Sequence, residues 1–228
     1  MTVTALFAWP EAARVDRRIP RDALFRAAGG GKAIRTLYES QVERIDWAFK
    51  LFERSINLPP AGGVTEIQVI VLTLRGDRID DRLLAHIDRA LPRQTWFELM
   101  RTMPDGREVQ SAAAYKRASD AVHAQVVTAD HTRGRWQPAT DRRRALPAAV
   151  TLEGLYAGLL RALWPYPARA GETLRDHAER LSRAAAQARS VERLRMLVRR
   201  EKEFARRVER NRELRAAEAA LKQLTEPL

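Results

Sequence analysis

Apolar residues recur at steps of three and four from Lys32 to about Arg54: Ile34, Leu37, Tyr38, Val42, Ile45, Phe49 and Phe52. That is the period of one helix face, and it predicts a helix over the whole stretch. Turn formers bound it, with Gly29-Gly30-Gly31 before and Asn57-Leu58-Pro59-Pro60 and Gly62-Gly63 after. Upstream, Ile19-Pro20-Arg21-Asp22 reads as a helix start, because proline tolerates the first turn and aspartate favours its positive end. From Val64 to Leu74 the run VTEIQVIVLTL is long, β-branched and nearly continuous, which predicts a central strand buried on both faces. Gly76-Asp77 then turns into an amphipathic helix from Asp80 to Ala90, with Leu83, Leu84, Ile87 and Leu91 on its apolar side and Pro92 as its stop.

Gln94–Met103 and Glu108–Tyr115 flank Pro104-Asp105-Gly106 and predict a hairpin. Val122–Thr128 reads as a further strand, Arg133–Leu146 as a basic loop, and Leu152–Leu163 as a helix ended by Trp164-Pro165-Tyr166-Pro167. From Glu172 to about Leu224 there is neither glycine nor proline. Leu194, Leu197, Glu201, Phe204, Val208 and Asn211 form a seam of alternating threes and fours, preceded by a stripe of Leu174, Ala178, Leu181, Ala185 and Ala188. This fits a helical hairpin or a short coiled coil. The pattern as a whole predicts an α+β chain. A small mixed or antiparallel sheet packed with helices forms a head over 1–167, and a basic, coiled-coil-like helical tail follows over 172–228.

Composition changes the picture in two ways. Of 228 residues, 41 are Lys or Arg and 29 Asp or Glu, a net charge of +12 that attracts phosphate polyanions. Arginine dominates the basic set, a bias that a GC-rich genome also produces. There is no cysteine, which excludes a disulfide framework, a zinc knuckle and a thiol nucleophile. At the N-terminus the charges follow the apolar stretch, the wrong order for a secretory signal, and no apolar run reaches membrane-spanning length. A cytoplasmic location is the expectation.

Catalytic motifs are sparse. Gly29-Gly30-Gly31-Lys32 fails the phosphate-loop pattern, because Arg26 stands where glycine belongs and Ala33 where serine or threonine belongs. His86, His123, His131 and His177 lack metal-ligand spacing, and His86 reads as a surface or helix-packing residue. No G-x-S-x-G element is present. A metal-dependent nuclease would gather carboxylates and a lysine at a strand end; the candidates are Glu43, Asp46, Glu66, Gln68 and Lys116, with Glu43, Glu66 and Lys116 as the catalytic set, although Glu66-Ile67-Gln68 lacks the usual lysine two residues on. Glu66 could equally pair with Lys50. No cofactor or metal is expected.

Basic residues concentrate twice. Arg133, Arg135, Arg142, Arg143 and Arg144 share a loop with Trp136, a combination that can hold phosphate and stack on a base, or fold its tryptophan back on the head. In the tail, Arg195, Arg199, Lys202, Arg206 and Arg210 share one face if the helix is continuous. Glutamates at three- and four-residue spacing compensate part of that charge.

The head also resembles a known family. Val42-Glu43-Arg44-Ile45-Asp46-Trp47-Ala48-Phe49-Lys50-Leu51, then Ser55-Ile56-Asn57-Leu58, then Glu66-Ile67-Gln68-Val69 is similar to the bacterial domain-of-unknown-function family 4391. Ile87-Asp88, Leu91-Pro92, Phe97 and Ala114-Tyr115-Lys116 follow in the family's order. The resemblance implies a restriction-associated, phage-defence setting, beside DNA methyltransferases and helicases. It brings no catalytic residues.

Three readings follow. In the first, the chain is a non-catalytic accessory subunit that docks on a helicase or methyltransferase and whose basic tail grips DNA backbone or a partner helix. In the second it is a divergent nuclease centred on Glu66. In the third it is an assembly protein whose tail pairs with another copy.

Overall fold

The computed structural model describes residues 5–118 and 126–226. The chain divides into two compact units, Met1–Trp164 and Pro165–Leu228. The class is α+β: a mixed sheet packed with helices, and long helices at the C-terminal end.

The head is built on a seven-stranded sheet. Its strands are β1 (Arg14–Arg18), β2 (Val42–Phe52), β3 (Glu66–Leu74), β4 (Gln94–Met103), β5 (Gly106–Ala113), β8 (Thr132–Arg133) and β9 (Gln137–Pro138). They are ordered β1-β2-β3-β4-β5-β8, with β9 also pairing β5. The β3–β4 pair is parallel and the others are antiparallel. Parallel neighbours need a crossover, and α4 (Asp81–Arg89) supplies it. A two-stranded ribbon pairs β6 (Lys116–Ala118) with β7 (Val126–Thr128). Of the strand expected over Val122–Thr128, residues 122–125 lie outside the described residues, as does His123.

The two faces of the sheet bury different sets. On one face Ile70, Leu72, Leu74, Phe97, Leu99 and Ala112 meet Leu24 of α1 (Arg21–Ala28), Tyr38 of α2 (Lys32–Gln41), and Leu83, Leu84 and Ile87 of α4. Each of those three α4 side chains is sealed from water, worth about 1.5–3 kcal/mol apiece. On the other face lie Val69 and Trp96, the latter edge-on to Phe7, while α5 (Leu152–Leu163) packs on β3 and β5. The central position of β3 follows from this: six of its nine residues are buried, as its unbroken apolar run requires.

The helix expected from Lys32 to Arg54 ends at Gln41, and Val42–Phe52 is a strand. The pairing of β2 with β3 slips twice, leaving Glu43 and Ala48 as extra residues on β2. Each bulge resets the in-out alternation of a strand. Val42, Ile45, Ala48 and Leu51 are consequently the buried positions, every third residue, which imitates a helical period. On β1 a further bulge is made by Asp16, which adopts φ 49°.

The second unit is a helical hairpin: α6 (Leu174–Arg200), a turn at Glu201-Lys202-Glu203, and α7 (Phe204–Thr225). The seam read across Glu201 is therefore interrupted, with Phe204 and Val208 exposed beyond the turn. What α6 buries is His177, Ala178, Arg180, Ala184 and Val191.

Candidate functional site

Three of the motif pieces quoted from the sequence converge on one ammonium group. Lys116 begins β6, just past the β5 strand end, and its side chain is 1% exposed. Its Nζ lies 2.5 Å from Asp88 Oδ1 and donates to the carbonyls of Asp88 (2.9 Å), Leu91 (2.7 Å) and Arg93 (3.1 Å) and to Thr95 Oγ1 (3.2 Å). Those carbonyls belong to the C-terminal end of α4 and the segment after it, where a cation meets the negative end of the helix. Burial pulls the Lys116 ammonium below its ordinary pKa, while Asp88 acts in the opposite sense. His131 Nε2 stands 3.0 Å from Asp88 Oδ2, and the His131 ring tilts against Phe97. Behind them Tyr156 of α5 donates to Ala114 O and accepts from Lys116 N.

The remaining motif pieces form the corner that joins β2 to β3. Ser55 Oγ accepts from Phe52 N and is within bonding distance of the Lys50 and Phe52 carbonyls. Asn57 ends α3 (Glu53–Ile56) in the left-handed conformation, φ 54°. Lys50 Nζ pairs with Glu66 Oε2 at 2.8 Å and lies over the Trp47 and Phe52 rings. Gln68 Nε2 donates to Glu66 Oε1 at 2.8 Å. Burial alone would raise the Glu66 pKa, but the hydrogen bonds from Lys50 and Gln68 prevail and hold it below the ordinary value.

In the hairpin the charge is unevenly placed. Over 165–228 there are sixteen basic and ten acidic residues. Residues 193–212, which flank the turn, hold nine basic and three acidic ones, eight of the nine being arginine. The stem on either side holds seven of each, so the whole surplus sits at the tip. Arg210 spans the turn: it pairs with Glu201 Oε2 at 2.9 Å and donates to Leu197 O at 3.3 Å. Glu201 Oε1 accepts the Lys202 and Glu203 amides. Arg206 pairs with Glu203. Arg193, Arg199, Arg200, Lys202, Arg207 and Arg212 are exposed, and none forms an ion pair among the described residues. Down the stem, Arg180 and Glu172 make a buried bidentate pair at 2.6 and 2.9 Å.

A model of the family described as Domain of unknown function (DUF4391) matches residues 7–221. The chain belongs to this family. No curated protein and no solved structure matches it.

Within this DUF4391 chain, Glu43, Glu66 and Lys116 do not meet. Glu43 is the exposed bulge residue beside Val42 and Arg44, which pair with Leu74 and Thr73, whereas Glu66 pairs with Phe52 at the other end of the ladder. Lys116 shares the Glu66 end, since Thr95, which it touches, is in register with Gln68. Its ammonium is already committed to Asp88 and three carbonyls. Among the described residues no group of three His, Asp or Glu side chains could hold a metal ion.

The basic loop of the head is tied down in part. Arg143 grips Glu98 with two bonds of 2.6 and 2.8 Å and donates to Phe7 O, and Trp9 Nε1 donates to the same carboxylate at 2.7 Å. Glu98 raises the Arg143 pKa in return. Arg133 binds Asp81 and Ile79 O. Trp136 packs on the core beneath Arg101, whose guanidinium lies 4.1 Å from the ring centroid. Arg135, Arg142 and Arg144 are exposed, and Arg144 is also bridged through its backbone to Phe7.

In the tail, Arg195 and Arg199 end α6 while Arg206 and Arg210 begin α7, so the five residues read as one helix face lie on both arms and the turn between them. Arg195 is held by Glu192 and Glu218. The sequence reading overlooked Asp88 and His131 as partners of Lys116; the motif order Asp88, Leu91, Lys116 was the available signal. His86 serves helix packing, buried between Gly29 O and Tyr38 Oη and stacked on Phe25.

Proposed function

We propose that this chain is a non-catalytic accessory subunit of a bacterial restriction-like phage-defence system, working in the cytoplasm beside a DNA methyltransferase or helicase and holding nucleic-acid backbone with its hairpin. The single observation that carries the reading is the cationic hairpin tip. A genome-wide arginine bias would spread its surplus evenly, yet here the stem is neutral and the tip is not. Exposed arginines neutralise phosphates and release counterions without reading bases. Of the tip's acids, Glu201 turns inward onto Arg210 and two amides, and the unpaired cations face solvent. The partners follow from the restriction-like setting that this reading assigns to the family. Among the described residues no helix is long and apolar enough to cross a membrane.

The test is fluorescence anisotropy of the full chain with duplex DNA across a salt series. Six phosphates neutralised by the six unpaired tip cations give a log–log slope of about −5. A flat salt response, or no binding at low salt, contradicts the DNA grip. Mass spectrometry of the natively captured complex tests the partner: a methyltransferase or helicase is the expected companion, and its absence contradicts the setting.

A further inference from the structure

We infer that the hairpin tip is a wedge for unpaired nucleic acid, in which the arginines hold phosphates at a fork or gap and Phe204 stacks on a base exposed there. This rests on the phosphate-grip reading above and adds the form of nucleic acid preferred.

The cationic tip is also apolar. Among the described residues the exposed large hydrophobic side chains are Val150 in the head and four that flank the turn: Met196, Leu197, Phe204 and Val208. Phe204 is 71% exposed. A solvated charged face requires no such residue, and a phosphate grip alone has nothing for it to touch. Intact duplex shows a protein chiefly sugar and phosphate, with its bases stacked on one another. Flat apolar base faces become available where strands part, beside backbone of full negative charge. A surface that is both apolar and strongly positive complements that combination.

Two further details fit a stacking platform. The Arg207 guanidinium lies 5.9 Å from the Phe204 ring centroid, so ring and planar cation adjoin, and both can stack on bases. The turn itself is fastened by Arg210 to Leu197 O and Glu201, and by Glu201 to two amides. A tip set in advance loses little freedom on binding.

The experiment compares full-length protein on three DNA probes with equal phosphate counts: blunt duplex, single strand and a forked duplex carrying 2-aminopurine at the junction. Wild type is expected to bind fork and single strand about tenfold more tightly than duplex, with junction fluorescence quenched. Phe204→Ala is expected to bring the fork-to-duplex ratio to about one, and Phe204→Trp to restore it. Circular dichroism confirms that each variant keeps its helices. Equal affinity of wild type for fork and duplex, or a ratio indifferent to Phe204→Ala, overturns the wedge while leaving the grip in place. No binding to any probe at low salt overturns the grip itself. Phe204-dependent binding to phosphatidylserine vesicles without fork preference assigns the tip to an anionic membrane and overturns the wedge.

Discussion

Lys116 and Asp88 form an ion pair sealed from water, 2.5 Å between Nζ and Oδ1, at the place where α4 ends and β4 begins. The lysine also donates to the carbonyl of Asp88 near the helix end and to those of Leu91 and Arg93 just beyond it. This pair joins the crossover helix, the parallel strand and the β5–β6 corner in a single knot.

Removing Lys116 leaves the Asp88 carboxylate buried with only His131 beside it. Lys116→Met is expected to cost about 3–5 kcal/mol, read as a lowered urea midpoint at unchanged slope. Adding Asp88→Asn should recover part of the loss. A Lys116→Met protein as stable as wild type would mean that the pair carries no structural weight.

Glu98 anchors two elements from distant parts of the chain, Arg143 and Trp9. Glu98→Ala should cost about 2 kcal/mol, because a half-buried guanidinium and an indole N–H lose their acceptor. Trp9 emission should shift at the same time, reporting release of the N-terminal segment from the sheet. Unchanged emission would contradict the anchoring.

The hairpin should respond to acid. Hydrogen bonding from Arg180 is the main cause that holds the Glu172 carboxyl at about 2, below its ordinary 4.5. A depressed folded pKa means stabilisation that is complete above the unfolded value and is lost as pH falls through the folded one. Helical circular dichroism under fixed denaturant should therefore show the hairpin weakening between about pH 4.5 and 2, by on the order of 2 kcal/mol. Glu172→Gln should flatten that limb. An unaltered acid limb in the variant would place the titration elsewhere.

Asn57 holds the β2–β3 corner at φ 54°. Asn57→Gly should be nearly neutral, whereas a β-branched Asn57→Val should cost about 1–2 kcal/mol through left-handed strain. Differential scanning calorimetry of the pair separates backbone strain from loss of the side chain: equal losses would implicate the amide instead.

The legible and illegible parts of the fold differ for physical reasons. The continuous β-branched run of β3, the Pro-Asp-Gly turn after β4 and the proline stop after α4 are local signals, and they lie where the sequence places them. β2 was illegible because two bulges, at Glu43 and Ala48, give a strand a period of three; bulges are fixed by pairing with β3, which local pattern does not contain. The hairpin turn was hidden because Glu201-Lys202-Glu203 has no glycine or proline and is closed by Arg210, nine residues on from Glu201. For the site, charge counts alone pointed to the tail, but its confinement to the tip emerged only once the turn was placed. For Lys116 the sequence shows a lysine near a strand, and only the packing shows its charge paired with Asp88.

The most direct measurement compares two full-length variants that each lose three arginines. One removes them from the tip (Arg199→Ser, Arg200→Ser, Arg207→Ser) and the other from the stem (Arg175→Ser, Arg183→Ser, Arg215→Ser). Duplex affinity is followed against salt for both. The account predicts that the tip variant loses about three units of log–log slope while the stem variant stays near wild type. Equal losses in the two variants would show that net charge, and not the hairpin tip, governs binding.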